Sequence, residues 1–548
     1  MSPLHAMPVM LGVLAVLAVA YRYYSAFLAA RVAVLDDSRV TPAHAHYDGQ
    51  NFLPTNRWVL FGHHFAAISG AGPLIGPVLA IQFGYVPGLC WLVVGVCLAG
   101  AVQDMMVLAA SVRRGGRSLA GIARDEVGPA AGTATAVAIL YIIVIALAGL
   151  GIVVVKALGG ERVAMKAGTT LVFPEGAGLS KSTDAAARVY DVPPETRYVY
   201  GKDAAEAMTF HEGFRLAVPA DRALEKAPGG SQGWVLPEKA ERLVPGSSWG
   251  TFTIACTVPI ALAVGWYMYR FRKGKVVEAS IFGAIAVLGA TVAGAFIPGS
   301  PLERYFSLTR EQTIFAMAAY GFIASILPVW LLLCPRDYLS SFLKIGTIAL
   351  LVVGVIVANP KFEAPAINPV FASGGGPYFS GPIFPYVFIC IMCGAISGFH
   401  ALVASGTTPK MIDREPDIRM IGYGAMLIEG LVGVVALIAA ASLPNAMYYD
   451  INIDLARRPA FQQQLKALDA DHDSGGELVQ MEKDVQESLH GRTGGAVTLA
   501  VGMARIFSKA MPGIQGLVKY WYHFAIMFEA LFILTTIDTG TRIGRFMV

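Results

Sequence analysis

The sequence predicts an all-α polytopic membrane protein of about 11 transmembrane helices, ten of them in a 5+5 inverted-repeat core with discontinuous helices. Three observations predict it. The chain has 548 residues, 55% hydrophobic and only 15% charged, whereas a soluble domain carries about 25% charged residues. Its apolar residues fall in runs of roughly 20, the length that crosses a bilayer as a helix. Some of those runs are broken by Gly and Pro, which lipid tolerates only where protein or a wet cavity satisfies the freed backbone.

The runs lie near residues 7–29, 57–82, 87–112, 130–156, 249–270, 276–297, 312–334, 340–359, 383–404, 420–443 and 517–539. The first, within 1–30, reads as a retained peripheral helix, because it lacks a basic leader and a small-residue cleavage site. The other ten divide into a first repeat over 57–297 and a second over 312–545. Five crossings per repeat is an odd number, so the second repeat is upside down relative to the first.

Short basic loops set the orientation. Arg113, Arg114, Arg117 and Arg124 follow the third run, and Arg270, Arg272, Lys273 and Lys275 the fifth. Arg336 and Lys344 follow the seventh, Lys410, Arg414 and Arg419 the ninth, and Arg542 and Arg545 the eleventh. Every second loop is basic, which puts these five on the cytoplasmic side and the amino terminus outside. Three polar segments then lie outside: an insert at 157–248, long enough for a small domain, a Gly/Pro-rich loop at 360–382, and a charged insert at 444–494. Residues 495–510 are too short and polar to span comfortably and read as an interfacial or re-entrant helix.

The net charge of +4 is small, and no basic module of a nucleic-acid binder is present. All six cysteines sit in or beside apolar runs, so the polar inserts hold no disulfide. Cys390 and Cys393 form a CxxC inside an apolar run, where packing is the plain reading.

The chemistry concentrates where the runs are interrupted. The second run contains Gly62-His63-His64-Phe65-Ala66-Ala67-Ile68-Ser69-Gly70-Ala71-Gly72-Pro73, then Gly76-Pro77. A helix broken here would expose amide N–H groups and the positive end of a half-helix, a cradle for a carboxylate. His63, His64, Ser69, Gly70, Gly72 and Pro73 are its candidate binding residues. The matching interruption in the second repeat falls at Gly321 and Pro328 of the seventh run. The ninth run adds Ser397 and His400 as binding candidates, with the hydroxyls of Ser405, Thr407 and Thr408 for a coupling cation or proton. Ionisable residues in lipid cost about 2.5–3.5 kcal/mol on insertion scales and so mark candidate sites: Asp104, Glu429, His523 and Glu529 are the coupling candidates, His being the side chain that titrates near neutrality.

One motif stands apart. Asp471-His-Asp473-Ser-Gly475-Gly476-Glu477-Leu478, with Glu482 in the twelfth position, follows an EF-hand calcium loop except for Gly475 in the fifth. It makes Asp471, Asp473, Glu477 and Glu482 candidate ligands of a structural calcium, and no other cofactor is expected.

The residues also resemble the carbon starvation protein A family of transporters. The resemblance rests on Gly62-His-His-Phe-Ala-Ala, Leu98-Ala-Gly-Ala-Val-Gln-Asp104, Arg113-Arg-Gly-Gly-Arg-Ser118, Leu327-Pro-Val-Trp, Pro335-Arg-Asp-Tyr-Leu-Ser340, Gly394-Ala-Ile-Ser-Gly-Phe-His-Ala, Ser405-Gly-Thr-Thr-Pro-Lys410 and Trp521-Tyr-His-Phe-Ala-Ile-Met-Phe-Glu-Ala-Leu-Phe. It implies secondary active uptake of pyruvate or small peptides during carbon starvation across the cell (inner) membrane. It also implies proton or, second, sodium coupling, a LeuT/APC-like fold, and further helices after residue 548. The insert at 157–248 is longer than the pattern expects. An ion channel, a membrane-embedded nutrient sensor and a membrane enzyme are the competing readings. No selectivity filter, signalling domain or HExxH accompanies them. Homo-oligomerisation is left open.

Overall fold

The computed structural model describes residues 4–49, 51–181, 188–200, 207–227, 233–271, 276–326, 333–470 and 476–547. Among these, eight helices are long and apolar enough to cross a membrane, nine if one bent pair counts as a single span. The main helices are α1 (Ala6–Val32), α2 (Arg57–Ile68), α3 (Gly72–Ala80), α4 (Tyr85–Arg113), α5 (Pro129–Leu158), α6 (Ser248–Trp266), α7 (Val276–Gly294) and α8 (Arg310–Ile326). They continue with α9 (Leu333–Ala358), α10 (Ile383–Ala395), α11 (Gly398–Gly406), α12 (Arg419–Ala441), α13 (Glu477–Val485), α14 (Ala496–Ala510) and α15 (Val518–Met547). α7 and α8 coincide with expected runs but do not meet the spanning test over the described residues. The chain is a mostly helical, multi-pass membrane protein.

The insert at 157–248 corrects the all-α expectation. Among the described residues it folds as two five-stranded antiparallel sheets. One orders Glu161–Ala164, Glu241–Val244, Phe214–Val218, Arg188–Val192 and Ser180–Lys181; the other orders Ala207–Phe210, Thr196–Val199, Thr170–Val172, Gly233–Val235 and Glu225–Lys226. Alternation makes the strands two-faced: Thr196 and Tyr198 are buried while Arg197 between them is exposed. The core of Leu171, Tyr198, Met208, Leu216 and Leu236 takes in Leu455 from the 444–494 insert, so the two inserts share one apolar interior.

Polar contacts sort the loops to two ends of α1. At one end Glu415 receives Arg113 (2.7 Å) and Arg39 (3.1 Å), and Arg414 pairs with Asp37. At the other, His5 bridges to Lys361. Arg113 and Arg414 therefore share a face, as the basic-loop pattern expects.

Two expectations fail here. Lys344 is not a loop residue: it lies within α9 and is fully buried. Helix α14 is not a surface helix: it is buried along most of its length, packed on α15, α9 and α12, with Gly502 against the Ala439 carbonyl. Pro328, Arg272, Lys273 and Lys275 lie outside the described residues.

Candidate functional site

The second run does break. Asn56 caps α2 by accepting the Trp58 amide, and the helix ends at Ser69 in extended backbone. α3 restarts at Gly72 with Pro73 in its first turn, where a missing N–H costs nothing. The axes bend by 49°. The freed carbonyls are satisfied by protein. Lys344 Nζ donates to Ala66 O (3.0 Å) and Ser69 O (3.2 Å), and Thr536 Oγ1 donates to Ser69 O (3.3 Å). The Lys344 ammonium also lies 4.3 Å from the centre of the Phe532 ring.

Gly72 and Gly76 allow close packing. A Cβ on Gly72 would run into the Cys393 side chain, and one on Gly76 into the Cys390 carbonyl. Both small residues let α3 and α10 touch, which is how helices associate in lipid. The CxxC is thus the far wall of that contact. Gly70 borders Thr536 and Leu150.

A second break lies in the ninth run. Ile396 and Ser397 are extended between α10 and α11, and Gln103 Nε2 donates to the Ser397 carbonyl at 2.6 Å. His64, buried on α2, places Nδ1 2.8 Å from Thr408 Oγ1 just past α11, so the two broken runs are tied together. His63 is only half-buried on the adjacent face. Ser405 bonds back to the Ala401 carbonyl of its own helix (2.7 Å), the ordinary fate of a helical serine. Thr407 Oγ1 is buried with no hydrogen-bond partner among the described residues.

Beside these breaks three ionisable side chains from three helices meet. His400 of α11 places Nδ1 3.3 Å from Asp104 Oδ2 of α4 and Nε2 3.1 Å from Glu429 Oε2 of α12. All three side chains are fully buried. A carboxyl group therefore faces each ring nitrogen, and Met426 Sδ lies 3.1 Å from Nδ1. Cys393 Sγ, His400 and Glu429 also lie within 4.8 Å of one another, a spacing that an ion could bridge. The three groups lie close enough to share protons or charge among them. An isolated charge would be prohibitive at this depth; a paired one is retained where charge movement is needed.

Glu529 is buried mid-helix in α15, with neither carboxylate oxygen bonded among the described residues. His523, two turns nearer the β-domain, stacks on Trp249 at 3.8 Å. In the calcium-loop candidate, Asp471 and Asp473 lie outside the described residues. Glu477 pairs with Arg505 (3.0 Å). Glu482 Oε1 accepts from the Leu489 and His490 amides (2.6 and 3.1 Å) and lies 2.9 Å from the His490 ring, so that oxygen is already engaged. Lys344 is the site residue that sequence reasoning missed. A lone lysine inside an apolar run beginning at 340 was the available signal.

A sequence profile described as "Carbon starvation protein CstA" matches residues 5–548. The chain is 39% identical, over its full length, to the peptide transporter CstA of Bacillus subtilis (strain 168), and covers 74% of that protein. It is 40% identical over 97% of its length to the pyruvate/proton symporter BtsT of Escherichia coli (strain K12), covering 65% of it. It is 41% identical over 97% of its length to the peptide transporter CstA of Mycobacterium tuberculosis (strain ATCC 25618 / H37Rv), covering 60% of it. No solved structure matches. The full-length profile match and the three relatives agree, and the chain belongs to the carbon starvation protein CstA family.

Proposed function

We propose that the chain is a proton-coupled symporter of the inner membrane that takes up a small carboxylate, either pyruvate or a short peptide. The carrying observation is the buried Asp104–His400–Glu429 network beside two helix breaks. Discontinuous helices at mid-membrane are where secondary transporters hold cargo and coupling ions. A carboxylate–imidazole–carboxylate set holds a mobile proton there at low cost. The relatives named as a pyruvate/proton symporter and as peptide transporters supply the substrate classes.

Lys344 favours protons over sodium. In sodium-coupled designs the carbonyls of an unwound helix coordinate the ion. Here a fixed ammonium holds the Ala66 and Ser69 carbonyls, so a cation arriving at the break would have to displace it. A mostly apolar cavity of ≈ 1130 Å³, lined in part by Leu147, Gly151, Met317, Gly321 and Ile537, lies next to Leu150 and Thr536, the residues bordering Gly70. It supports a vestibule reaching towards the cradle of Ser69 and Gly70. The bent second run supports a 5+5 inverted plan. The second described break sits in the third helix of the second half rather than the first, where Arg310–Ile326 runs unbroken past Gly321.

The test is uptake of labelled pyruvate and labelled dialanine into proteoliposomes, with and without an inward proton gradient. Saturable, gradient-driven uptake that is lost in Asp104→Asn is the expected result. An unsaturable leak favours a channel, and no flux favours a sensor.

A further inference from the structure

Away from the buried network, a cavity of ≈ 430 Å³ opens between the β-domain, the start of α6 and the turn after α13. Glu487 and His523 lie on its wall. Glu487 is held on both oxygens: Ser247 Oγ donates to Oε1, and Tyr522 Oη donates to Oε2 at 3.2 Å. Its side chain is 14% exposed and lines the cavity while keeping these partners.

His523 is set up to receive a proton. Its Nε2 lies 3.1 Å from the Val485 carbonyl, which can only accept, so Nε2 carries the hydrogen. In the neutral ring Nδ1 is then a bare lone pair. Nδ1 has no hydrogen-bond partner among the described residues and sits 3.9 Å from Glu487 Oε1. The Trp249 ring is stacked on the His523 ring at 3.8 Å and fixes its plane. Surrounding charges are mixed. Asp191, Glu212, Arg215 and Arg242 face the cavity from the β-domain. Glu303 and Arg492 complete its wall, and Lys519 acts on His523 from one turn away.

We propose that Glu487 and His523 form the outer proton-loading station of the transport cycle, an inference that rests on the proton-coupled reading above. A hydronium ion from the outer solution gives its proton to the Glu487 carboxylate and leaves as water. Through one water bridging the 3.9 Å gap, the Glu487 O–H bond then breaks as Nδ1–H forms, leaving a carboxylate beside an imidazolium. Glu529, six residues further along α15 and about 9 Å of helix rise away, is the next acceptor.

The test uses the full chain in proteoliposomes with labelled pyruvate and labelled dialanine, and two readouts. One is net uptake driven by external pH between about 5.5 and 7.5. The other is substrate exchange at equal pH on both sides, which needs no net proton movement. In Glu487→Gln, net uptake should fall at least about tenfold and lose its dependence on external pH, with exchange retained. Glu487→Asp should recover at least half of the uptake. Wild-type uptake and pH profile in Glu487→Gln would overturn the proposal while leaving the symporter reading intact. So would equal loss of uptake and exchange in both variants. Absence of gradient-driven uptake in the wild type would instead sink the symporter reading itself.

Discussion

Helices α5 and α15 are nearly equal in length and opposite in character. α5 is the most apolar of the spanning helices, yet only 17% of its apolar window is buried inside the protein; the window of α15, among the least apolar, is 94% buried. In water the order would be reversed. A bilayer is as apolar as leucine, so apolar surface gains nothing by turning inward. What must turn inward is polar: Thr535, Thr536, Asp538, Glu529 and His523 of α15 are all buried, while Val137, Tyr141 and Val144 of α5 face outward. Burial of α15 therefore follows its polar residues rather than its apolar ones.

Substitutions on the two kinds of helix sharpen this contrast, beginning with the largest expected effect. His400→Ala removes the partner of two buried carboxylates, and orphaning one buried charge costs about 3–5 kcal/mol. Uptake should vanish and the melting temperature in detergent should fall; a variant with wild-type uptake would remove the network from the mechanism. Gly72→Leu should prevent folding by forcing α3 off Cys393, whereas Gly149→Leu on α5, with open space around it, should express and transport normally. Equal yields by size-exclusion chromatography would contradict the packing described for α3. Val144→Lys puts a charge into lipid and should cost about 3 kcal/mol in a membrane-insertion assay. The same charge is accepted at Lys344 because carbonyls receive it.

The smallest effect lies outside the membrane and follows pH. Burial alone would raise the Glu482 carboxyl, but the His490 ring beside it, the Leu489 amide and the Arg242 guanidinium hold it down at about 2, from an ordinary 4.5. A carboxylate lowered in the folded state stabilises fully above pH 4.5, and that stability fades as pH falls towards 2. Glu482→Gln should therefore lose at most about 3 kcal/mol near neutrality. The gap to wild type should close as the melt is repeated at lower pH. A gap independent of pH would mean that Glu482 acts by shape alone.

Much of this was legible in the chain. The apolar runs, the break at Ser69–Gly72 and the three members of the buried network each stood out as polar or Gly/Pro residues where lipid does not tolerate them. Their meeting did not, because Asp104, His400 and Glu429 belong to runs far apart in sequence, and nothing local specifies which helices touch. The β-domain was illegible for another reason. Its strands are two to five residues long, too short for alternation to separate from loop. Lys344 was misplaced because its basic charge matched a loop pattern, although its neighbours Leu343 and Ile345 are apolar. Glu487 sat in an ordinary acidic stretch; only Ser247 and Tyr522, brought from two other segments, distinguish it.

The shared interior of the two inserts has a mechanical consequence. Leu455 seats among β-domain residues, and Arg242 donates to Ser488, so a segment from each half of the chain is stitched to the other above the bundle. Prising the halves apart at that end would wet this apolar seam. The seam is expected to behave as a hinge pin, leaving the widest swing to the opposite mouth, where Arg39 and Arg113 converge on the buried Glu415 carboxylate as a latch.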